Sequence, residues 1–256
     1  VLREAGVPID YVVGASVGSI FGLGLAAGLP TSYIHSVVRN NSAFEMFRFY
    51  AGRLRADRRN PIARMVWQAG GGRQFEDLPT EFAVMATDME TARPVAFTQG
   101  PIVPALEASI ALPFIARPAR IDGRYYVDGG IIDTAPVPVA RKMGADVVIA
   151  VCLGFQFVAP AFIRNRAWTK SLVDRFATPG AGPRLRDQIR FGCRLFSEGY
   201  DLRPSASDAD IAIWPEFGSI KPNRMRGAEL CLEQGIRAAE ESLPRVLEAL
   251  RGVENH

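Results

Sequence analysis

The sequence predicts an α/β domain with a mainly parallel sheet. Short β-branched runs alternate with longer apolar-periodic stretches along the chain, the pattern of repeated βα units. The run Ala145 to Leu153 (ADVVIAVCL) is continuously apolar over a strand's length, as expected of a strand buried on both faces. Val12 to Ile20 reads as strand, sharp turn and helix, with Gly14-Ala15-Ser16-Val17-Gly18 at the turn. A chain of 256 residues can hold one large domain or two small ones. No internal repeat divides it, so residues 1–256 are read as a single domain.

The elements follow in order. Val1 to Pro8 looks like the last turn of a helix, capped at Gly6 and stopped by Pro8. A helix present only by its end predicts further sequence upstream, where a signal peptide would also lie. Ile9 to Val13 is a short buried strand, and Ile20 to Leu29 a helix ended by Gly28 and Pro30. Thr31 to Phe49 and Ile62 to Trp67 have helical spacing, and Gly70-Gly71-Gly72 terminates the second. The region 31–80 is expected to cap the serine. Phe82 to Ala86 and Pro94 to Thr98 are strands joined by a turn at Met89 to Arg93. Val103 to Ile110 is a helix closed off by Pro113. Asp122-Gly123 marks a hairpin whose second strand, Tyr125 to Val127, delivers Asp128-Gly129-Gly130. Val137 to Met143 is a helix ending at Gly144, Asp210 to Trp214 a last strand, and Arg226 to Arg251 a long amphipathic helix.

Composition narrows the function. Hydrophobic content of 48% with 22% charge is that of a soluble globular protein. Net charge is only +3, and no nucleic-acid partner is expected. The longest uncharged apolar run, Val17 to Leu29, is shorter than the about 20 residues of a membrane span. Cys152, Cys193 and Cys231 have neither metal nor redox spacing and read as small buried hydrophobes in a reducing compartment. The localisation expected is cytoplasmic, with peripheral membrane contact as the extension. No cofactor and no metal are expected.

Gly-x-Ser-x-Gly at a strand-to-helix turn is the pattern of a nucleophile elbow. The tight turn lifts the serine off the sheet, and glycines two residues before and after it, Gly14 and Gly18, avoid a Cβ clash. The helix start aims free N–H groups at an anion, so the Val17 N–H is one oxyanion donor. A serine hydroxyl needs a base to take its proton. The chain has only two histidines, and neither His35, soon after the elbow helix, nor His256, the last residue, suits a Ser-His-Asp triad. A carboxylate acting directly is the simplest substitute. Asp10, Asp88, Asp122, Asp128 and Asp133 are candidates. Asp88 and Asp128 both end strands, and Gly129 and Gly130 would let backbone and substrate approach Asp128 closely.

In this setting the sequence resembles the patatin-like phospholipase family, in its small bacterial branch. Gly14 to Gly18 matches that family's Gly-x-Ser-x-Gly, and Ser109 to Pro113 (SIALP) its Ser-x-x-x-Pro segment. Asp128-Gly129-Gly130, followed by Pro136 and Ala140 to Ala150, matches its Asp-Gly-Gly segment. Phe75 to Pro79, Met85 to Met89 and the run from Ile220 to Leu243 also fit. The resemblance implies a three-layer α/β/α fold, a Ser16–Asp128 dyad and metal-free hydrolysis of lipid acyl esters. It also implies a Gly-rich oxyanion loop ahead of the nucleophile, which nothing before Ser16 matches. Gly70 to Arg73 lies after the nucleophile and is read as a helix terminator instead. The chain as given is therefore expected to be poorly soluble and nearly inactive, and an upstream extension to restore activity.

The leading reading is a serine lipid acyl hydrolase. An acyltransferase on the same dyad, or a catalytically dead membrane-binding or regulatory module, are the alternatives. Products formed with glycerol present separate the first pair, and a fluorophosphonate probe separates enzyme from dead module. Residues 155–205 form a basic and aromatic insertion outside the family pattern. Arg164 to Arg194 holds eight Arg or Lys against two acidic residues, with Trp168, Phe176 and Phe191 among them. It reads as a solvated face or subunit contact, or as a dock on anionic lipid.

Overall fold

The computed structural model describes residues 1–39, 60–113, 116–153, 191, 205–217 and 225–254. Strand β1 (Tyr11–Ala15) runs into helix α1 (Val17–Ala26) with Ser16 alone between them. Helices α2 (Thr31–Arg39) and α3 (Pro61–Gly70) follow. A 3-10 turn at Phe75–Asp77 leads to β2 (Glu81–Asp88), β3 (Pro94–Phe97) and α4 (Ile102–Ser109). Then come β4 (Ala119–Ile121), β5 (Arg124–Asp128), α5 (Val137–Met143) and β6 (Ile149–Val151). The last elements are β7 (Ile211–Ile213) and the long helix α6 (Met225–Glu254).

The local signals act as their chemistry requires. Asn60 opens α3 by accepting the N–H groups of Ile62 and Ala63, and Pro61 fills the first turn, where no N–H is needed. Asp122 and Gly123 both take left-handed φ, 47° and 84°, the turn whose twist suits a two-residue hairpin. Gly144 ends α5 at φ 111°.

β2 is the hub of a five-stranded sheet. Its Val84 pairs with Gly14 of β1 and Phe97 of β3, and its Ala86 with Val95 of β3 and Asp128 of β5. A strand has two edges, so β3 holds one while β1 and β5 share the other end to end. β1 is parallel to β2, and β5 antiparallel. Their C-terminal ends therefore point at each other along that edge. Val12, Phe82 and Val84 face the main core with Ile20 and Leu23 of α1, Met65 and Val66 of α3, and Ile102 and Leu106 of α4. Tyr11, next to Val12 and so on the opposite face, lies against Gly144 at the end of α5, where an added Cβ would come 3.2 Å from its hydroxyl. Helices thus cover both faces, giving three layers. A second core joins Val7 to Ile211, Ile213, Ala238 and Val246.

The α/β class holds, but the balance of strand directions is corrected. Only β1·β2 and β6·β7 are parallel among the described residues, while β2·β3, β2·β5 and β4·β5 are antiparallel. Short turns at 89–93 and 122–123 leave no room for a crossover, so those neighbours must run antiparallel. The run Ala145 to Leu153 is also corrected. Its strand is only Ile149–Val151, and Val151 and Leu153 are 56% and 40% exposed. Val148, Ala150 and Cys152 pack with Val137, and Val147 and Ile149 pack with Ile211 and Ile213. The second face emerges past that cover. In the region 31–80, Val37, Ile62, Met65, Ala69 and Phe75 belong to the main core. Residues 40–59, and the insertion 155–204 except Phe191, lie outside the described residues. Phe191 is buried against Met89, Ala92 and Val127, which removes it from the surface aromatics expected there.

Candidate active site

The edge shared by β1 and β5 builds the site. Ala15 is the partner of Met85, and Asp128 is the partner of the next residue, Ala86. Both strands leave the sheet where they meet, and Ser16 and Asp128 stand at the two exits. Ser16 turns the chain into α1 with φ 53° and ψ −130°, a conformation that strains any residue with a side chain. Its Oγ donates to Oδ2 of Asp128 at 2.6 Å. The strain is held from several sides. The Ser16 carbonyl accepts from the Ser19 hydroxyl at 2.6 Å and from the Ser19 N–H at 3.0 Å. The Ser16 N–H donates to Ser109 Oγ at 2.9 Å.

Asp128 is buried beneath the half-exposed serine. Its Oδ1 accepts from the Gly130 N–H at 2.8 Å, its carbonyl from the Thr87 hydroxyl at 3.0 Å, and its own N–H donates to the Ala111 carbonyl at 3.0 Å. Burial pushes the carboxyl up to about 7, against the hydrogen bonds from Ser16 and Gly130 that hold it down. A carboxyl poised there can accept a proton near neutrality and release it again.

The glycines divide by task. A Cβ on Gly14 would lie 2.5 Å from Ser19 Cα, so the elbow closes only with glycine there. Gly18 is corrected: it is exposed and a Cβ would meet nothing within 4 Å, because α1 has already turned away from the crowded corner. A Cβ on Gly129 would drive into the Met85 carbonyl, so this glycine lets the chain cross β2. Gly130 faces the dyad, 3.5 Å from Ser16 Cβ measured from its would-be Cβ. Val17 opens α1, where first-turn N–H groups have no partner within the helix.

The other carboxylates have separate work. Asp88 accepts from the N–H groups of Glu90 and Thr91 and pairs with Arg124 at 2.8 Å. Asp10 is exposed at the foot of β1, Asp122 is in the hairpin turn, and Asp133 accepts from the Ala135 N–H. His35 sits half-buried on α2. Gly70 packs between Leu23 and Ile102, and Gly71 caps α3. Burial raises the thiol of Cys152 to about 11, with the Asp133 charge adding to it, and burial also raises Cys231. No grouping of three His, Cys, Asp or Glu side chains able to hold a metal occurs among the described residues. No helix among them is long and apolar enough to cross a membrane.

Two parts of the site were not read from sequence. The segment from Ser109 to Ala111, and Thr87 within Met85 to Met89, both lie in stretches that fit the family pattern but had no assigned role.

Residues 1–141, more than half of the chain, match the patatin-like phospholipase family. The chain belongs to that family. An uncharacterized NTE family protein of Mycobacterium bovis is 34% identical over 166 residues, covering 62% of this chain and 45% of the relative. A second uncharacterized NTE family protein, from Mycobacterium tuberculosis, is 26% identical over 253 residues, 94% of this chain and 42% of its own length. A protein named lysophospholipase NTE1, from Phaeosphaeria nodorum, is 30% identical over 164 residues, 60% of this chain and 10% of that one. The chain thus spans less than half the length of these relatives. Ser16 and Asp128 both fall within the family match.

Proposed function

We propose that this chain is a serine lipid acyl hydrolase, of phospholipase, lysophospholipase or esterase type, working through a Ser16–Asp128 dyad. The observation that carries the reading is the 2.6 Å bond from a strained serine hydroxyl to a buried carboxylate poised near 7. Ser16 Oγ attacks the ester carbonyl while Asp128 takes its proton. The oxyanion forms at the start of α1, where the Val17 N–H is one donor. Collapse expels the alcohol, which leaves with the proton from Asp128, and the acyl group stays on Ser16. Water then attacks the acyl-enzyme with Asp128 again as base, freeing the acid and the serine. The lysophospholipase relative supports a lipid ester as substrate.

The test is direct. A fluorophosphonate should label the wild type at Ser16 and leave Ser16→Ala unlabelled. In the full-length enzyme, Ser16→Ala and Asp128→Asn should each lower hydrolysis of a p-nitrophenyl ester by about 10³-fold or more, while His35→Ala should change it little. Damage from His35→Ala equal to that from Ser16→Ala, with the fold intact, would remove the dyad. The dyad supplies its own base and asks for no Lewis acid, so activity should survive EDTA. A strict need for added Ca²⁺ or Zn²⁺ would contradict it. Contact with anionic membranes through Arg164 to Arg194 is a separate proposal. Binding to vesicles that ignored both anionic lipid content and salt would end it.

A further inference from the structure

We infer that Ser109 is a positioning residue for the nucleophile, the side-chain half of a clamp that α4 closes on both members of the dyad. The inference rests on Ser16 acting as nucleophile. α4 ends at Ser109, and Ile110 caps it. Within three residues the chain there makes one hydrogen bond to each partner of the dyad. Ser109 Oγ takes the Ser16 N–H at 2.9 Å, and the Ala111 carbonyl takes the Asp128 N–H at 3.0 Å. The two bonds cross sequence gaps and meet at one short segment, so the end of α4 fixes the separation of two exits that belong to different strands.

The serine's share of the clamp follows from the elbow's geometry. Ser16 precedes the first residue of α1, so its N–H has no acceptor within the helix. It is also past the last residue of β1, so the ladder to β2 does not take it. Ser109 is fully buried, which keeps water from replacing it as acceptor. Its hydroxyl therefore holds the amide plane that sets the direction of the Ser16 side chain. Without it the elbow can relax from φ 53°, and Oγ swings away from both Asp128 and an incoming carbonyl. A displacement of about 1 Å at a reacting atom is enough to cost on the order of 10²-fold in rate.

The experiment compares wild type, Ser109→Ala and Ser109→Cys as full chains, with turnover expressed per active site titrated by a fluorophosphonate. In Ser109→Ala, kcat should fall about ten- to hundredfold and KM stay within about twofold, because the lost bond orients the reacting oxygen and touches no substrate. The pH midpoint should move upward, because Asp128 loses the Ser16 hydrogen bond that holds its carboxyl down and keeps only that from Gly130. Exchange of the Ser16 amide proton with solvent should quicken. Ser109→Cys, with a weaker acceptor in nearly the same volume, should fall between the two. A role in stability alone would lower Tm and leave kcat per titrated site unchanged, and that result overturns the inference. If Ser109→Ala does not fold, Ser109→Cys decides: a kcat reduced by about fivefold or more upholds the clamp, and an unchanged kcat removes it. A wild type that does not label at Ser16 overturns the proposed function itself, whereas a labelled wild type with an equally active Ser109→Ala overturns only this inference.

Discussion

At the residue scale, the proposed chemistry depends on a carboxylate that burial makes reluctant to ionise. Asp128 stands at about 7 in the folded chain, against about 3.9 for a free aspartate. The base form is the one that can take the serine proton, so kcat/KM should rise with pH through a midpoint near 7. A flat profile between about pH 5.5 and 8.5 would remove Asp128 as base. Stability should move the other way. A raised folded value favours the native state below about 4, and that advantage is lost as pH climbs to about 7. Asp128→Asn carries no such proton. Its Tm should therefore gain on the wild type between about pH 5 and 7.5 and level off above. A Tm difference independent of pH would mean that the carboxyl is not perturbed. His35 is half-buried on α2, while the Ser16 hydroxyl donates to Asp128.

At the scale of elements, the sequence was most informative where one residue's own backbone chemistry decides the outcome. Asp122-Gly123 and Gly144 fall where turn and cap chemistry puts them. It was least informative where two strands meet through a third. Nothing local in Tyr11 to Ala15 or in Arg124 to Asp128 says that both will take the same edge of β2 in opposite directions. That arrangement is what turns two distant motifs into one site. The glycines of the elbow show the same limit. Spacing alone treats Gly14 and Gly18 alike, but the fold crowds one and exposes the other. Gly14→Ala places a Cβ against the Ser19 backbone, which cannot rotate aside, and should cost about 3 kcal/mol or more. For a domain of this size that is on the order of 10 °C in Tm. Gly18→Ala adds a methyl to open space in a first helical turn, where alanine is the better helix former. Its Tm should hold or rise slightly. Thermal melts of both variants decide it, and equal losses would mean that the elbow is not closed as described.

At the scale of the whole molecule, the dyad and the closure of the chain depend on different cores. The main core gathers β1, β2, α1, α3 and α4 around the elbow. The second joins Leu2 and Val7 near the start to Ile211, Ile213, Leu243 and Val246 near the end. Periodicity in Arg226 to Arg251 shows that α6 has an apolar face, but periodicity cannot say which distant strand receives it. Val246 is completely buried in that second core, whose members among the described residues include none from the elbow or the Asp-Gly-Gly turn. Val246→Ala removes two methyl groups and leaves a void, a loss of about 2 kcal/mol. Tm should drop by roughly 4 to 8 °C. At about 20 °C, well below the transition, kcat per titrated Ser16 should match the wild type, since the hydrogen bonds on Ser16 and Asp128 come from Ser19, Thr87, Ser109, Ala111 and Gly130. A variant that melted early and also turned over slowly per titrated site would show that the second core helps hold the dyad, and the division into a catalytic core and a closing core would fail.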